Sequence, residues 1–272
     1  MKYAEYPSHP PLSRWIRCFW VLRGDAVTGS RPPESVFPDG CVEIVVNLAD
    51  PFLHHAGGAP VAQPTAMVVG TSTRPMRIEP SGAVDVMGIR FEPHASPVAL
   101  GVSADEITDR ALPLEAVAPL RSEEWMEQLA ETASWTLRVR ILERALQRVV
   151  DERRSDALVE GATRIIERSG GRVSVECLSR HLGVRPRRLE RRFRGQVGIA
   201  PKKLCRITRF QRFLGELREA DAGLAGAAVR CGYTDQAHLT RDFRDFAGST
   251  PAAFREGDDV LPRLFAGLSA GF

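Results

Sequence analysis

LGVRPRRLERRFRGQVGIAP, residues 182–201, and CGYTDQAHLTRDFRDFAGSTP, residues 231–251, are one design written twice. Leu189 aligns with Leu239, Arg191 with Arg241, Phe193 with Phe243, Arg194 with Arg244, Gly198 with Gly248 and Pro201 with Pro251, every pair 50 residues apart. Upstream, Gly183 and Gly232 are 49 apart, so the second turn is one residue longer. A repeat of this kind is one supersecondary unit used more than once. Each copy reads as an apolar helix, a glycine turn and a second helix with Leu-x-x-x-Phe, closed by a glycine and a proline. That is a helix-turn-helix in duplicate.

The spacing assigns faces. Leu189 and Phe193, at i and i+4, share one side of their helix and belong to the core. Arg187, Arg188, Glu190, Arg191 and Arg194 are left for the surface, and six of the fourteen residues at 185–198 are arginine. A helix fits the major groove of B-DNA, and the arginine fork matches the O6/N7 edge of guanine, so these five are candidate DNA contacts. In the second copy Gln236, His238, Thr240 and Arg241 surround Leu239 and Phe243; glutamine suits adenine and arginine suits guanine. Asp242 and Asp245 make this helix less basic, and its half-site is expected to be held less tightly. Two alternatives stay open. The recurrence of Arg191 at Arg241 fits a DNA contact or a shared structural ion pair, and Glu190 fits cytosine N4 or a neighbouring arginine. A membrane-surface helix is disfavoured, because both helices need their apolar sides for a small core.

Between the copies, PKKLCRITRFQRFLGELREA (201–220) carries a packing stripe of Leu204, Ile207, Phe210 or Gln211, and Leu214. About 18 helical residues span roughly 27 Å. That is of the order of the DNA turn, about 34 Å, that separates successive major-groove segments. Lys202 and Lys203 at its start suit phosphates.

Charge follows the same division. Residues 1–154 hold 16 basic and 20 acidic side chains, a balance of −4, while 155–272 hold 21 and 14, a balance of +7. A basic module that meets a polyanion is joined to one that does not. In the first half CFWVL (18–22), VEIVVNL (42–48), AMVVG (66–70), MRIEP (76–80) and DVMGIRF (85–91) read as strands, with a turn at FPDGC (37–41) and a loop at 57–65. Helices follow, the longest at 134–154 with an apolar stripe of Leu137, Ile141, Leu142, Ala145 and Val149 that packs on the strands or pairs two subunits. The expected architecture is a two-domain α+β protein. A small antiparallel β barrel or sandwich, β-rich to about 92 and helical over 94–154, fills 1–154 as a sensor or dimerisation domain. An all-α tandem helix-turn-helix fills 155–257, with Ser155 or Asp156 capping its first helix, and 258–272 form a tail.

The remaining compositional signals concern compartment and chemistry. No apolar run reaches the roughly 18 residues of a membrane span. MKYAEYPSHPPLSRW lacks the apolar core of a signal peptide, and five scattered cysteines make no CxxC pair. A cytoplasmic protein is expected. No catalytic residue, cofactor or metal site stands out: His54 and His55 are adjacent in a loop without a third ligand, and there is no GxSxG. Cys41, after the PDG turn, is either a redox or alkylation sensor or a buried structural cysteine. Trp20, Arg74 and Arg90 are the candidate effector-binding residues, for an aromatic or carboxylate ligand. Equally, Trp20 is core and the arginines hold Glu43 or Asp85.

Residues 157–256 resemble the tandem helix-turn-helix domain of AraC-type (AraC/XylS) transcription regulators. The stretches that carry this are LSRHLGV, RRLERRFRGQVGIAPKKL, RITRFQRFL and AVRCGYTDQAHLTRDFRDFAGSTPAAFR. The resemblance implies seven helices, with those at about 186–196 and 235–246 entering adjacent major-groove segments. It implies base reading at Arg187, Glu190, Arg191, Ala237, His238 and Arg241, although alanine offers no side-chain hydrogen bond. Its implied partners are double-stranded promoter DNA and RNA polymerase, with a small-molecule effector and a second copy of the chain as further candidates. FPDGCVEIVVNL, VVGTSTRP and GIRFEPHA resemble, more weakly, the sensor-like domain attached to a subset of these regulators. Two other functions fit the residues alone: a DNA-tethered enzyme or cysteine-based repair protein, and an architectural DNA binder.

Overall fold

The structure is a computed structural model that describes residues 1–25, 32–117, 122–150, 155–218 and 224–256. Among the described residues ten strands come first: β1 (Lys2–Pro7), β2 (Ile16–Gly24), β3 (Glu34–Val36), β4 (Glu43–Asn47), β5 (Phe52–His54), β6 (Val61–Ala62), β7 (Ala66–Val69), β8 (Met76–Pro80), β9 (Val84–Phe91) and β10 (Ala111–Pro113). They make two antiparallel sheets, β1-β2-β9-β4-β7-β10 and β3-β8-β5-β6. Neither sheet closes on itself, so the domain is a sandwich and not a barrel. The five strands expected from apolar runs are β2, β4, β7, β8 and β9. The other five are short or polar, and β6 is a two-residue edge inside the stretch expected as a loop.

The larger sheet is covered on both sides. Along β2, Cys18, Trp20 and Leu22 face the smaller sheet, whereas Phe19 and Val21 face helices. Those helices are α1 (Ser96–Leu100), α2 (Leu114–Val117), α3 (Ser122–Glu131) and α4 (Trp135–Val150). Double-sided burial explains why β4 and β9 read as nearly continuous apolar runs. On α4 the buried stripe is Val139, Leu142, Leu146 and Val150, turned from the expected one, and Leu137 is 48% exposed. Arg138 accounts for the turn. It is drawn inward by Asp85 at 3.0 Å and by the Leu129 carbonyl at 3.0 Å, and it lies 4.6 Å from the centre of the Trp135 ring.

From Ala157 onward the described elements are helical: α5 (Ala157–Arg168), α6 (Val175–His181), α7 (Pro186–Val197), α8 (Pro201–Arg218), α9 (Leu224–Arg230), α10 (Gln236–Ala247) and α11 (Pro251–Glu256). Asp156 caps α5 by accepting from the Leu158 and Val159 N–H groups. Residues 151–154, just before the expected boundary, and the expected tail at 258–272 lie outside the described residues.

The repeat holds in three dimensions. Leu189, Phe193, Leu239 and Phe243 are all buried. Gly198 (φ +86°) and Gly248 (φ +71°) end α7 and α10 in the left-handed conformation that favours glycine, each donating its N–H to the arginine carbonyl four residues back. Pro201 and Pro251 open the next helices. Helix α8 is the shared core: Phe210 lies 5.3 Å, ring to ring, from both Phe243 and Phe246.

Candidate DNA-reading face and effector cavity

Pro186 starts α7 in place of a side-chain cap, and Asp235 caps α10 by accepting from the His238 N–H at 2.7 Å. With their leucines and phenylalanines turned inward, the helices present Arg187, Arg188, Glu190, Arg191 and Arg194 on one and Gln236, Ala237 and Arg241 on the other, all exposed. None of these arginines makes an ion pair with the described residues. The ion-pairing arginine of α7 is the adjacent Arg192, which meets Asp156 at 2.6 Å.

Other candidates are held by the scaffold. The His238 ring lies edge-on to Tyr233 at 5.1 Å and within 3.3 Å of the Thr234 hydroxyl. Thr240 is half-buried and Lys202 exposed. Lys203 is half-buried with its Nζ 4.8 Å from the Phe246 ring centre, and burial lowers its pKa. Asp242 is buried and bonded to Arg206 at 2.8 Å, while Asp245 meets the same guanidinium at 2.5 Å. The acidic residues of α10 are therefore committed to a clamp on α8.

A cavity lies between the two sheets, with about 90 Å³ open to the centre of a water molecule. Its floor is the inner face of β2, β9, β4 and β7, including Trp20, Arg90, Glu43 and Asn47; its roof includes Val36, Phe52 and Ile78. Trp20 pairs across the strands with Gly88, and a Cβ there would fall 2.0 Å from the indole, so glycine makes room for the ring. Arg90 is buried among carboxylates: Glu43 and Asp39 approach its Nε at 2.6 and 3.0 Å, and Glu5 its Nη1 at 2.9 Å. Burial raises the Glu43 carboxyl above its ordinary range against the pull of Arg90, and the Trp20 N–H also bonds it. Arg74 is exposed and stands apart from this wall. Trp20 and Arg90 are thus brought together, and Arg74 is not.

The last part of the wall belongs to the other domain. Gln211 and Leu214 of α8 close the mouth beside Phe37, Pro38 and Asp39. Gln211 donates to the Pro38 carbonyl at 2.7 Å. Phe37 leaves the sandwich to pack in the helical core, 5.7 Å from Phe210 and 5.6 Å from Phe254. Gly40 (φ +85°) brings this turn so near α8 that a Cβ would sit 2.4 Å from Leu204 Cδ1. The end of α7 is held separately: Ser103, Thr71 and Thr108 hydroxyls donate to the carbonyls of Gly195, Val197 and Gly198 at 3.1, 2.8 and 3.0 Å. Arg17 links Glu92, at 2.9 Å, to Glu167 of α5.

Asn47, Phe37, Asp39, Gln211 and Leu214 were not among the expected site residues. The period of two along β4 was the available signal, since it sets Glu43, Val45 and Asn47 on one face. The expected stripe on α8 left Phe210 and Gln211 as alternatives, and both are buried, Phe210 against Phe243 and Phe246 and Gln211 against the Pro38 carbonyl. Cys41 is buried, as is Cys18; burial pushes the Cys18 thiol up to about 12 and Cys41 well above its ordinary value, so both are held as neutral thiols. Among the described residues no helix is long and apolar enough to cross a membrane.

Two family models match the chain: a domain of unknown function, DUF6597, over residues 4–113, and a helix-turn-helix domain over residues 178–257. Among solved structures, ToxT from Vibrio cholerae strain SCE256 with an unsaturated fatty acid bound is 10% identical, with a TM-score of 0.50 over 87% of this chain and 94% of that one. ToxT from Vibrio cholerae O395 bound to (E)-4-(8-methylnaphthalen-1-yl)but-3-enoic acid is 9% identical, with a TM-score of 0.50 over 87% and 98%. At such identities the likeness is one of fold, a β-rich domain followed by a helical one. No curated protein matches the chain in sequence. The repeat, the seven described helices around it and the family match over 178–257 make the C-terminal region a tandem helix-turn-helix domain.

Proposed function

We propose that the chain is a ligand-controlled transcription regulator of the cytoplasm whose α7 and α10 read adjacent major-groove segments of promoter DNA. Residues 155–257 act as the reading domain and 1–154 as the sensor. Arg187, Arg188, Glu190, Arg191 and Arg194 serve the first segment, and Gln236, Thr240 and Arg241 the second. Lys202 serves phosphate, and Lys203 and His238 support the surface from the positions described. RNA polymerase is the partner implied by the resemblance to AraC-type regulators. A second copy of the chain is a further partner, with Leu137 exposed on α4. Trp20 and Arg90 belong to the effector cavity, and the two ToxT structures with acids bound support reading the sandwich as a ligand-binding domain.

One observation carries this reading: Gln211 and Leu214 of the helix that joins the two helix-turn-helix units are also cavity wall. A ligand acts only through different affinities for two states of the protein. Here a molecule that moves the mouth of the cavity moves the spacer between the reading helices. The test is binding of the purified full chain to fragmented DNA of the source organism. The expected result is a motif with two blocks about 10 base pairs apart. Diffuse, salt-governed binding without a motif would overturn the two-helix readout and make the protein an architectural DNA binder.

A further inference from the structure

We infer that the cavity takes an organic amine on a compact apolar frame, bound as the ammonium to Asn47 Oδ1 and attracted by the carboxylates of Glu43 and Asp39. This rests on the reading of the cavity as the effector site and names the ligand class that its wall selects.

The wall is apolar apart from a few groups, among which two carboxylates outnumber one guanidinium. Its charged members are Asp39, Glu43 and Arg90. Arg90 would be the natural anchor for a ligand carboxylate, yet three carboxylates already occupy its Nε and Nη1. A carboxylate entering here would meet acids in excess over the one guanidinium. The attraction for a cation is large because the surroundings are of low dielectric.

Asn47 points the same way and is independent of the acidic cluster. It is 3% exposed and shares the floor with Glu43, two turns of the pleat away on β4. Its Nδ2 donates to the Pro64 carbonyl at 2.9 Å. Its Oδ1 is buried with no partner. A buried acceptor left unmatched is costly, and what it lacks is a donor. An ammonium has three donors and no acceptor. It can therefore serve Asn47, drawn by the acids about 13 Å along the strand, with the apolar frame against Trp20, whose face also attracts cations. Glu43 sits between proton and partner: burial favours its neutral form, and an incoming ammonium favours its ionised one.

The test is calorimetric titration of the full chain with phenyl, cyclohexyl and indolyl frames, each carrying an ethylamine, an ethanol or a propionate arm, and with oleate. The expected order is amine over propionate by about tenfold or more, the size of one charge-assisted hydrogen bond. Glu43→Gln and Asn47→Leu should each weaken the amines by a similar factor while leaving the alcohols less changed, with melting curves confirming that both variants fold. Glu43→Gln leaves Glu5 and Asp39 on Arg90, and Asn47→Leu leaves the cluster whole, so the two variants fail independently. Tighter binding of the propionates or of oleate would overturn the amine assignment and leave the effector cavity standing. Absence of heat and of any shift in melting with every probe would overturn both.

Discussion

The two helix-turn-helix units share a sequence pattern and a fold, but they are anchored differently. The first is tied to the N-terminal domain: three hydroxyls on that domain hold the last carbonyls of α7, while Asp156, ahead of α5 in the helical domain itself, holds Arg192. The second is tied to α8, through Arg206 and the two aspartates of α10. The repeat equivalent of Arg192 is Asp242, so one position in the two copies carries opposite charges, each paired at a junction. Duplication fixes the shape of a reading unit; the inward-facing polar positions decide what it answers to. The first unit is bonded directly to the N-terminal domain, and the second reaches it through the spacer and Phe37.

The largest expected effect separates these anchors. Arg206→Ala leaves Asp242 buried without its main partner and should cost about 3 kcal/mol. Denaturant unfolding would give the total, and hydrogen exchange should place the loss in α9 to α11 while α6 and α7 keep their protection. Equal loss in both units would break the distinction. Next, Arg187→Ala should cost about 1–3 kcal/mol in DNA binding and relax preference at one base position, read by competition with singly substituted sites. Third, Thr71→Val and Thr108→Val should each cost about 1 kcal/mol of stability. Both should weaken the effect of a bound ligand on the first half-site in footprinting more than on the second. Fourth, Lys202→Ala should lower the slope of log binding constant against log salt by about one, as for any lost phosphate contact. Lys203→Ala, with its ammonium set over Phe246, should lower that slope less.

The smallest effect concerns His94, at the seam between domains. Its Nδ1 is 3.4 Å from the Thr163 hydroxyl of α5, and burial lowers its pKa from the ordinary 6.5. Glu92, Glu160, Arg14 and Arg164 are the charged groups around it. A folded value below the unfolded one means that the folded state binds fewer protons. Stability is then full above about pH 6.5 and falls as the pH drops through the lowered folded value. In His94→Gln that part of the pH profile should flatten.

The C-terminal domain was legible because its repeat compares the chain with itself. Six positions at a constant offset distinguish core from surface without outside reference, and the burial of Leu189, Phe193, Leu239 and Phe243 follows. The long strands were legible from apolar runs. What escaped the sequence were features set by contacts between distant segments. Nothing local tells that Asp242 faces α8 rather than DNA, because an aspartate on a helix reads the same in either place until Arg206 is known to lie opposite. Leu137 matched one apolar stripe of α4, but the buried one is Val139, Leu142, Leu146 and Val150, with Arg138 beside it held by Asp85. Arg90 and Glu43 were legible as a pair, being opposite each other on β9 and β4. Asp39 and Glu5, which complete the cluster, come from a turn and an edge strand whose approach no spacing encodes. Gln211 escaped for the same reason, since its partner is a carbonyl 173 residues away.

Helix α8 holds the cavity mouth at Gln211 and Leu214 and runs on toward the second unit. Each residue of an α-helix advances it by about 1.5 Å and turns it by about 100°. One residue inserted after Leu214 would leave the mouth intact and swing α10 about a third of a turn away from its groove. One residue inserted before Gln211 would move the mouth itself. The segment can therefore accept substitutions on its outer side far more readily than any change in length. Among descendants of this chain, the count of residues between Gly198 and Gly232 should drift more slowly than their identity.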